Sequence, residues 1–413
     1  METKLSAHLK DTEDGKAAEA ILRACVHCGF CNATCPTYQL LGDELDGPRG
    51  RIYQIKQVLE GTPATPITQL HLDRCLTCRA CETTCPSGVE YGHLLDIGRQ
   101  QVEAQVRRPL RQRLWHAVLR AGLSRRRLFG AAMCIGRSVR ALLPSALRAK
   151  LQPARPEGTW PQRTHSRRVI LLRGCTQPAM LPSIDAATAR VLDSLGVQTL
   201  IAAPAGCCGA IHQHLNDHAG ALDHMRRNID AWWPLLSRGG AEAIVINASG
   251  CAVTVKEYGY LLRDDPAYAE KARHICESVR DLTEYLLPQV PALKARMAAT
   301  AQRVAVQIPC TLQHGQKLSG KLEPLLQGLG VRLPAVAEAH LCCGSAGTYS
   351  LLQSELSGSL RDRKLLNLQQ SAPQIILSAN IGCISHLQTG TTLPVWHWIE
   401  WLDRSLKPAG SYA

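Results

Sequence analysis

The chain has 413 residues, 45% of them hydrophobic, and a formal net charge of +13. That is more than one core normally accommodates, so two or three domains are expected, and two Phe against nine Tyr and seven Trp make the cores aliphatic. No run of eighteen apolar residues is there to span a bilayer, and the opening METKLSAHLKDTEDGKAAEA lacks the apolar stretch of a secretory leader, so a cytoplasmic location is expected.

In a reducing compartment the eighteen cysteines read as metal ligands rather than disulfides. Cys25, Cys28, Cys31 and Cys35 precede Pro36, and Cys75, Cys78, Cys81 and Cys85 precede Pro86. Both sets have the C-x2-C-x2-C-x3-C-P spacing of two-cluster ferredoxins. Three thiolates on one tight loop reach three irons of a cubane, while the fourth lies too far along and crosses to the other cluster. One [4Fe-4S] cluster is therefore expected on Cys25, Cys28, Cys31 and Cys85, the other on Cys75, Cys78, Cys81 and Cys35. The competing reading is a pair of four-cysteine zinc sites, which usually come as CxxC pairs split by a longer loop. Between the motifs, LDGPRGRIYQIKQVLEG predicts a helix with Pro48 in its first turn, Gly61 past its end, and Ile52, Ile55, Val58 and Leu59 on one face. Residues 17–24 and 91–106 also read as helices, so residues 1–106 form a helical two-cluster domain.

Residues 99–150 hold twelve Arg and one Lys against the single acid Glu103, a local net charge of +12. Leu110, Leu114, Val118, Leu119 and Leu123, then Leu142, Leu143 and Leu147, fall at helical spacing among these arginines. The pattern suits a helix on an anionic membrane surface, and equally a basic connector packed on one side or docked on an acidic partner. Neither a nucleic-acid-binding motif nor aromatic interleaving accompanies the charge, so no nucleic acid is expected as partner. Residues 107–165 are read as this connector, and Pro153, Pro156 and Pro161 lead out of it.

From residue 167 short aliphatic strands alternate with amphipathic helices, twice over. Strands RVILLRG, VQTLIAA and EAIVINA with helices near 181–195 and 217–237 make one half (166–300); RVAVQIP, VRLPAV and QIILSAN with helices near 318–329 and 355–370 make the other (301–413). The alternation predicts α/β units on largely parallel sheets, and the fold class is α+β multidomain: a helical two-cluster module followed by a duplicated α/β pair. The thiols repeat too. Cys175, Cys207, Cys208 and Cys251 are matched by Cys310, Cys342, Cys343 and Cys383, the first three offset by 135 residues and the last by 132. Each follows a predicted strand at its carboxyl end, where open α/β sheets place ligand crevices, so the duplication predicts two four-thiol metal sites about a pseudo-twofold axis. Cys134 and Cys276 belong to neither set and read as buried core cysteines.

Two ferredoxin motifs followed by two C-x31-C-C-G repeats resemble the cysteine-rich CCG-domain electron-transfer family, which includes heterodisulfide reductase B-type subunits, the small subunit of anaerobic glycerol-3-phosphate dehydrogenase and lactate-utilisation proteins. ILRACVHCGFCNATCPTYQLLGDELDGPRGRIYQIKQVLEG, NIDAWWP, CTLQHGQKL, HLCCGSAGTY and ANIGCISHL are similar to the iron-sulfur subunits of glycolate oxidases, the membrane-associated glycolate dehydrogenases. The resemblance spans essentially the whole chain and is loose between 107 and 165. In the heterodisulfide relatives the motif ends in CxxC and five cysteines hold an unusual cluster; here Thr254 and His386 stand where the last cysteine would be. Four thiols per half suit either an iron-sulfur cluster or zinc, and His386 is a candidate extra ligand or proton donor, or an ordinary crevice histidine.

Neither a G-x-G-x-x-G after a strand nor a P-loop is present, so a flavin is expected on partner subunits and not on this chain. The resemblance implies that flavoprotein (FAD-binding) partners oxidise glycolate to glyoxylate and pass electrons through this non-catalytic subunit to a quinone or the respiratory chain, with peripheral attachment to the inner face of the cell membrane. D-lactate and glycerol-3-phosphate are alternative substrates of such a complex, and a disulfide reductase with its own active site is an alternative function.

Overall fold

The computed structural model describes residues 1–142, 148, 151, 153, 155–298 and 300–407. At the N-terminus the helices Glu13–Ala24, Pro48–Leu59, Pro66–Asp73 and Tyr91–Gln105 surround the two cysteine loops. Thr12 caps the first by accepting from Gly15 N, and Pro48 opens the second, where its missing N–H costs nothing. The inward face of that second helix is the predicted one: Ile52, Ile55, Val58 and Leu59 are buried against Ala18, Leu22, Leu94 and Leu95 in a core whose buried members lie between Leu9 and Val106, with Met1 and Leu5 packed on it. Each such fully buried aliphatic side chain contributes about 1.5–3 kcal/mol.

The basic segment forms two helices, Leu110–Ser124 and Arg126–Ser138. Their inner side packs on this chain: Leu119 and Met133 are buried, and Arg137 donates to the carbonyls of Ala179 and Met180. Just before them, Arg108 pairs with Asp73 and Glu103. Their outer side leaves Leu110, Leu114, Trp115, Val118, Leu128 and Ile135 exposed. The predicted stripe is therefore split, with Leu110, Leu114 and Val118 outward and Leu119 inward. Leu142 is exposed, and Leu143 and Leu147 lie outside the described residues.

Strands β1 (Arg167–Leu171), β2 (Val197–Leu200), β3 (Ala243–Ile246) and β4 (Val279–Asp281) form one parallel sheet in the order β2-β1-β3-β4, with Ile170 opposite both Leu200 and Ile244. Strands β5 (Val304–Val306), β6 (Ile375–Ser378) and β7 (Val395–His397) form a second parallel sheet in that order. β4 and β7 carry only three residues each, too few for a periodic signal. The expected strand VRLPAV does not form. Pro334 has no N–H to give a ladder, and Val331 is turned back by Gly330, so Val331, Leu333 and Val336 pack on the core without pairing. Cys342 and Cys343 consequently follow a loop rather than a strand end.

One core joins the halves, and a second, on the other face of the first sheet around Ile170, Trp232 and Ile244, belongs to the first half alone. Val169, Val191 and Val245 pack in the same cluster as Val306, Ile376, Leu377 and Trp398. Polar contacts close the join: Ser183 Oγ donates to Glu400 Oε1 (2.6 Å), His397 Nε2 to the Asn247 carbonyl (2.8 Å), and Arg190 pairs with Asp403 (2.7 Å). Arg155, at the end of the basic connector, reaches Glu400 (2.7 Å) and the Val395 carbonyl (2.7 Å), strapping that segment to the second half.

The glycine after each thiol pair has a positive φ, 96° at Gly209 and 87° at Gly344. A Cβ at Gly344 would stand 2.5 Å from the Ser357 carbonyl oxygen. Backbone strain alone costs roughly 1–3 kcal/mol, so Gly344→Ala should lower the thermal unfolding temperature. Gly358→Ala, whose Cβ meets nothing within 4 Å, is the control and should leave it equal or higher.

Candidate metal centre

The two ferredoxin loops share one backbone, fifty residues apart. His27 and Thr77 have φ of 61° and 53°, and Gly29 and Arg79 have 85° and 59°. These left-handed residues, one before and one after the second cysteine of each loop, curl the chain so that its thiols converge. Cys25, Cys28, Cys31 and Cys85 line one cavity together with Phe30 and Ile52, and Cys81 borders it. Cys35, Cys75, Cys78 and Cys81 line another with Arg51 and Tyr91. The residues expected to act together are thus brought together, three from one loop and the fourth from the other. The first group is at the surface, with Cys28 exposed and Val26 and Phe30 more than half exposed beside it, and the second is interior.

Burial pushes the Cys31 thiol up to about 11, and those of Cys78 and Cys81 well above their ordinary value. Crowded thiols that resist ionising are ligands for a group that brings positive charge. Among the described residues, no three thiols lie within 4.8 Å of one another, the one trio of candidate ligands so close being Asp43, Asp46 and His71. Zinc at ~2.3 Å from each sulfur would hold its four sulfurs about 3.8 Å apart, so the ferredoxin groups are spread for the wider [4Fe-4S] core, and four thiols per group fit it.

The CCG quartets assemble at the end of the sheets. Cys310 and Cys342 Sγ are 3.7 Å apart, and Gly344 N donates to Cys342 Sγ (3.4 Å). In the first half the Cys207 thiol accepts from Cys175 and Cys208, which holds it well below its ordinary value while theirs are pushed up. Instead of two separate crevices the molecule has one. Cys175, Cys207, Cys208 and Cys251 face the same cavity as Cys310, Cys342 and Cys383, because the halves are joined face to face through their common core; Cys343 sits behind Cys342. The opposite wall is apolar, formed by Leu123, Phe129, Ala132 and Met133 of the basic connector. Thr254 and His386 both line this cavity; Thr254 Oγ1 donates to the Gly250 carbonyl (3.2 Å), and His386 Nε2 is 3.0 Å from Ser357 Oγ.

Duplication has not kept the quartets identical. Asn228 holds the first thiol loop through Gly206 N and the Cys207 carbonyl (2.9 Å each). At the corresponding turn of the second half stands Lys364, 3% exposed, donating to the Glu338 carbonyl at 2.7 Å. Burial pulls its pKa down and the nearby Cys343 and Cys342 pull it up. A cation thus adjoins one quartet where an amide adjoins the other. Of the remaining cysteines, Cys276 is half-buried, but Cys134 is exposed, on the outward face of the helix Arg126–Ser138, which corrects its reading as a core residue.

Spacing gave no sign of the junction between modules. Cys78 packs with Cys310, Cys342, Leu76 and Tyr349 in one buried cluster, so the second ferredoxin group abuts the second quartet. Arg79, on its left-handed turn, pairs with Glu257 (2.6 Å), which also binds His93 (2.7 Å). Burial works to raise the Glu257 carboxyl, but His93 and Arg79 override it and hold it down at about 2. Thr83 Oγ1 meets His314 Nδ1 at 2.8 Å on the other side.

Comparison with known proteins agrees with this architecture. Residues 21–89 match a 4Fe-4S dicluster domain, and residues 169–256 and 304–388 each match a cysteine-rich domain. The glycolate oxidase iron-sulfur subunit of Escherichia coli is 51% identical over 98% of this chain and 100% of its own length. A probable glycolate oxidase iron-sulfur subunit of Bacillus subtilis is 29% identical over 90% of this chain and 89% of its own, and lactate utilization protein A of Bacillus licheniformis 27% identical over 53% and 90%. The thiol groups, their order along the chain and the near-complete alignment agree: the chain belongs to the family of glycolate oxidase iron-sulfur subunits, components of oxidoreductase complexes.

Proposed function

We propose that the chain carries electrons within a flavin-dependent glycolate dehydrogenase, from flavoprotein subunits that oxidise glycolate to glyoxylate to a quinone or other respiratory acceptor. The observation that carries this reading is the continuous line of thiols from exposed Cys28, through Cys81 and Cys78, to Cys310 and the shared cavity. Cys25, Cys28, Cys31 and Cys85 hold one [4Fe-4S] cluster, and Cys75, Cys78, Cys81 and Cys35 the other. When bound, these clusters supply the one-electron steps that draw electrons singly from a two-electron flavin. Cys175, Cys207, Cys208 and Cys251, and Cys310, Cys342, Cys343 and Cys383, each hold a further metal centre, which iron and zinc analysis of anaerobically purified protein identifies. In this reading 1–106 is the cluster module, 107–165 the connector, and 166–300 and 301–413 the two repeats. Glycolate as the substrate is supported by the full-length similarity to the E. coli subunit, and D-lactate by the lactate utilization relatives over about half the chain.

Attachment to the inner face of the membrane is supported by the outer side of the connector, where Arg111 and Arg113 stand exposed next to Leu110 and Leu114 in the chain and Arg125 to Arg127 next to Leu128. No helix among the described residues is long and apolar enough to cross a membrane.

Three outcomes are expected. Copurified with its flavoprotein partners, the chain should support dye reduction with glycolate; reduction by D-lactate alone would move the assignment to a lactate enzyme. In reduced protein followed by EPR, Cys85→Ala and Cys25→Ala should abolish the same cluster signal and Cys81→Ala the other; loss of one signal by both Cys85→Ala and Cys81→Ala would overturn the crossed ligation. Replacing Arg125, Arg126 and Arg127 by Gln should move the protein from the membrane to the soluble fraction, whereas unchanged partitioning points to attachment through protein alone.

A further inference from the structure

Beneath the second ferredoxin group lies a charge cluster that the ligands do not require. Arg51 is 0% exposed, as is Asp46. The Arg51 guanidinium donates to the His71 carbonyl (2.7 Å), to Thr37 Oγ1 (3.1 Å) and to Asp46 Oδ1 (3.3 Å). Thr37 Oγ1 is itself 3.3 Å from Cys35 Sγ, so one hydroxyl joins the guanidinium to a thiol of the group. Tyr91 donates to Cys75 Sγ at 3.7 Å. Asp46 does not neutralise Arg51 alone, because its other oxygen takes Arg74 (2.8 Å) and His71 Nδ1 lies 3.0 Å from the first. Two guanidiniums share one carboxylate, and the fully buried one is on the thiol side. Arg99, 8% exposed, donates to the Leu72 and Cys75 carbonyls (2.8 and 3.0 Å) and adds a second buried cation.

The first group is placed differently. Beside it stand Arg49, more than a third exposed and paired with Glu44, which water and a counter-charge screen, and the N-terminal ammonium, only part-buried, on the Cys25 carbonyl (2.9 Å); neither is a fully buried side-chain cation like Arg51. Exposure lets solvent stabilise the added negative charge of a reduced cluster, and burial withholds that help. Burial alone would therefore leave the inner cluster harder to reduce than the outer one and make inward transfer unfavourable. A fixed buried cation offsets that penalty, and guanidinium keeps its charge at every relevant pH.

From this arrangement we infer that Arg51 sets the reduction potential of the cluster on Cys35, Cys75, Cys78 and Cys81, lifting it so that electrons pass inward from the surface group toward Cys310. The inference rests on the crossed ligation proposed above, which the cysteine variants test separately.

The test is an EPR-monitored redox titration of the full chain with both clusters loaded and iron counted, the two signals being assigned from the Cys85→Ala and Cys81→Ala proteins. Arg51→Gln should shift the reduction equilibrium of the inner cluster at least tenfold toward the oxidised form, 59 mV for one electron, and leave the outer cluster in place. Arg51→Lys, which keeps the charge, should restore most of the shift. Asp46→Asn removes the opposing charge without changing shape and should move the inner cluster the other way. This variant also decides the matter if Arg51→Gln fails to load iron. An inner potential unmoved in Arg51→Gln with full iron, or unmoved in Asp46→Asn, overturns the inference; failure of the signals to follow the crossed cysteine pairs overturns the ligation instead.

Discussion

Thiols brought close together inside a protein cannot all ionise, because each thiolate loses its hydration and repels the next. In this molecule sixteen of eighteen cysteines are gathered into such groups. The rest of the structure follows from resolving that conflict with charge brought in from outside the polypeptide or held within it. The left-handed turns at His27, Gly29, Thr77 and Arg79, the glycines behind the thiol pairs, and the cations Arg51 and Lys364 are parts of one solution.

The crossed ligation proposed for the ferredoxin loops has a mechanical consequence. In it each loop is completed by a residue from the other, so neither group assembles while its neighbour is displaced, and the helix Pro48–Leu59 runs between them. The same helix presents Ile52 to the outer group and Arg51 to the inner one, one residue apart and about 100° around the axis. A single helical element thereby sets an aliphatic side chain and the exposed, paired Arg49 against one group and a fully buried arginine against the other. In the α/β part duplication supplies two nearly equal quartets, and the exchange of Asn228 for Lys364 makes their surroundings unequal in charge.

What could be read from sequence was what is local. Ligand spacing, the helix from Pro48, and the 135-residue repeat depend on neighbours in the chain, and the structure keeps them. The strand expected at VRLPAV failed at Pro334, where aliphatic content pointed one way and hydrogen-bonding capacity the other. Cys134 looked like core because its neighbours are apolar, yet it lies on the outer face of its helix. The meeting of both quartets in one cavity, the contact of Cys78 with Cys310, and the burial of Arg51 all join residues distant along the chain. Arg51 in particular reads as one more surface charge of an amphipathic helix, since nothing in PRGR distinguishes an arginine facing solvent from one facing a thiol.

The shared core also imposes an order on biosynthesis. Residues 9 to 106 close a core of their own, so the ferredoxin segment has everything it needs once its last helix leaves the ribosome. The first α/β half closes one face of its sheet unaided, where Ile170, Ile229, Trp232 and Ile246 pack with Cys208, but on the other face Val169, Val191 and Val245 await Ile376, Leu377 and Trp398, near the end of translation. Until then the first quartet has its own core behind it, but the cavity wall it shares with the second does not exist. Assembly is therefore divided in time, early for the paired loops and late for the shared cavity, and a chain cut short within its last forty residues has the first without the second.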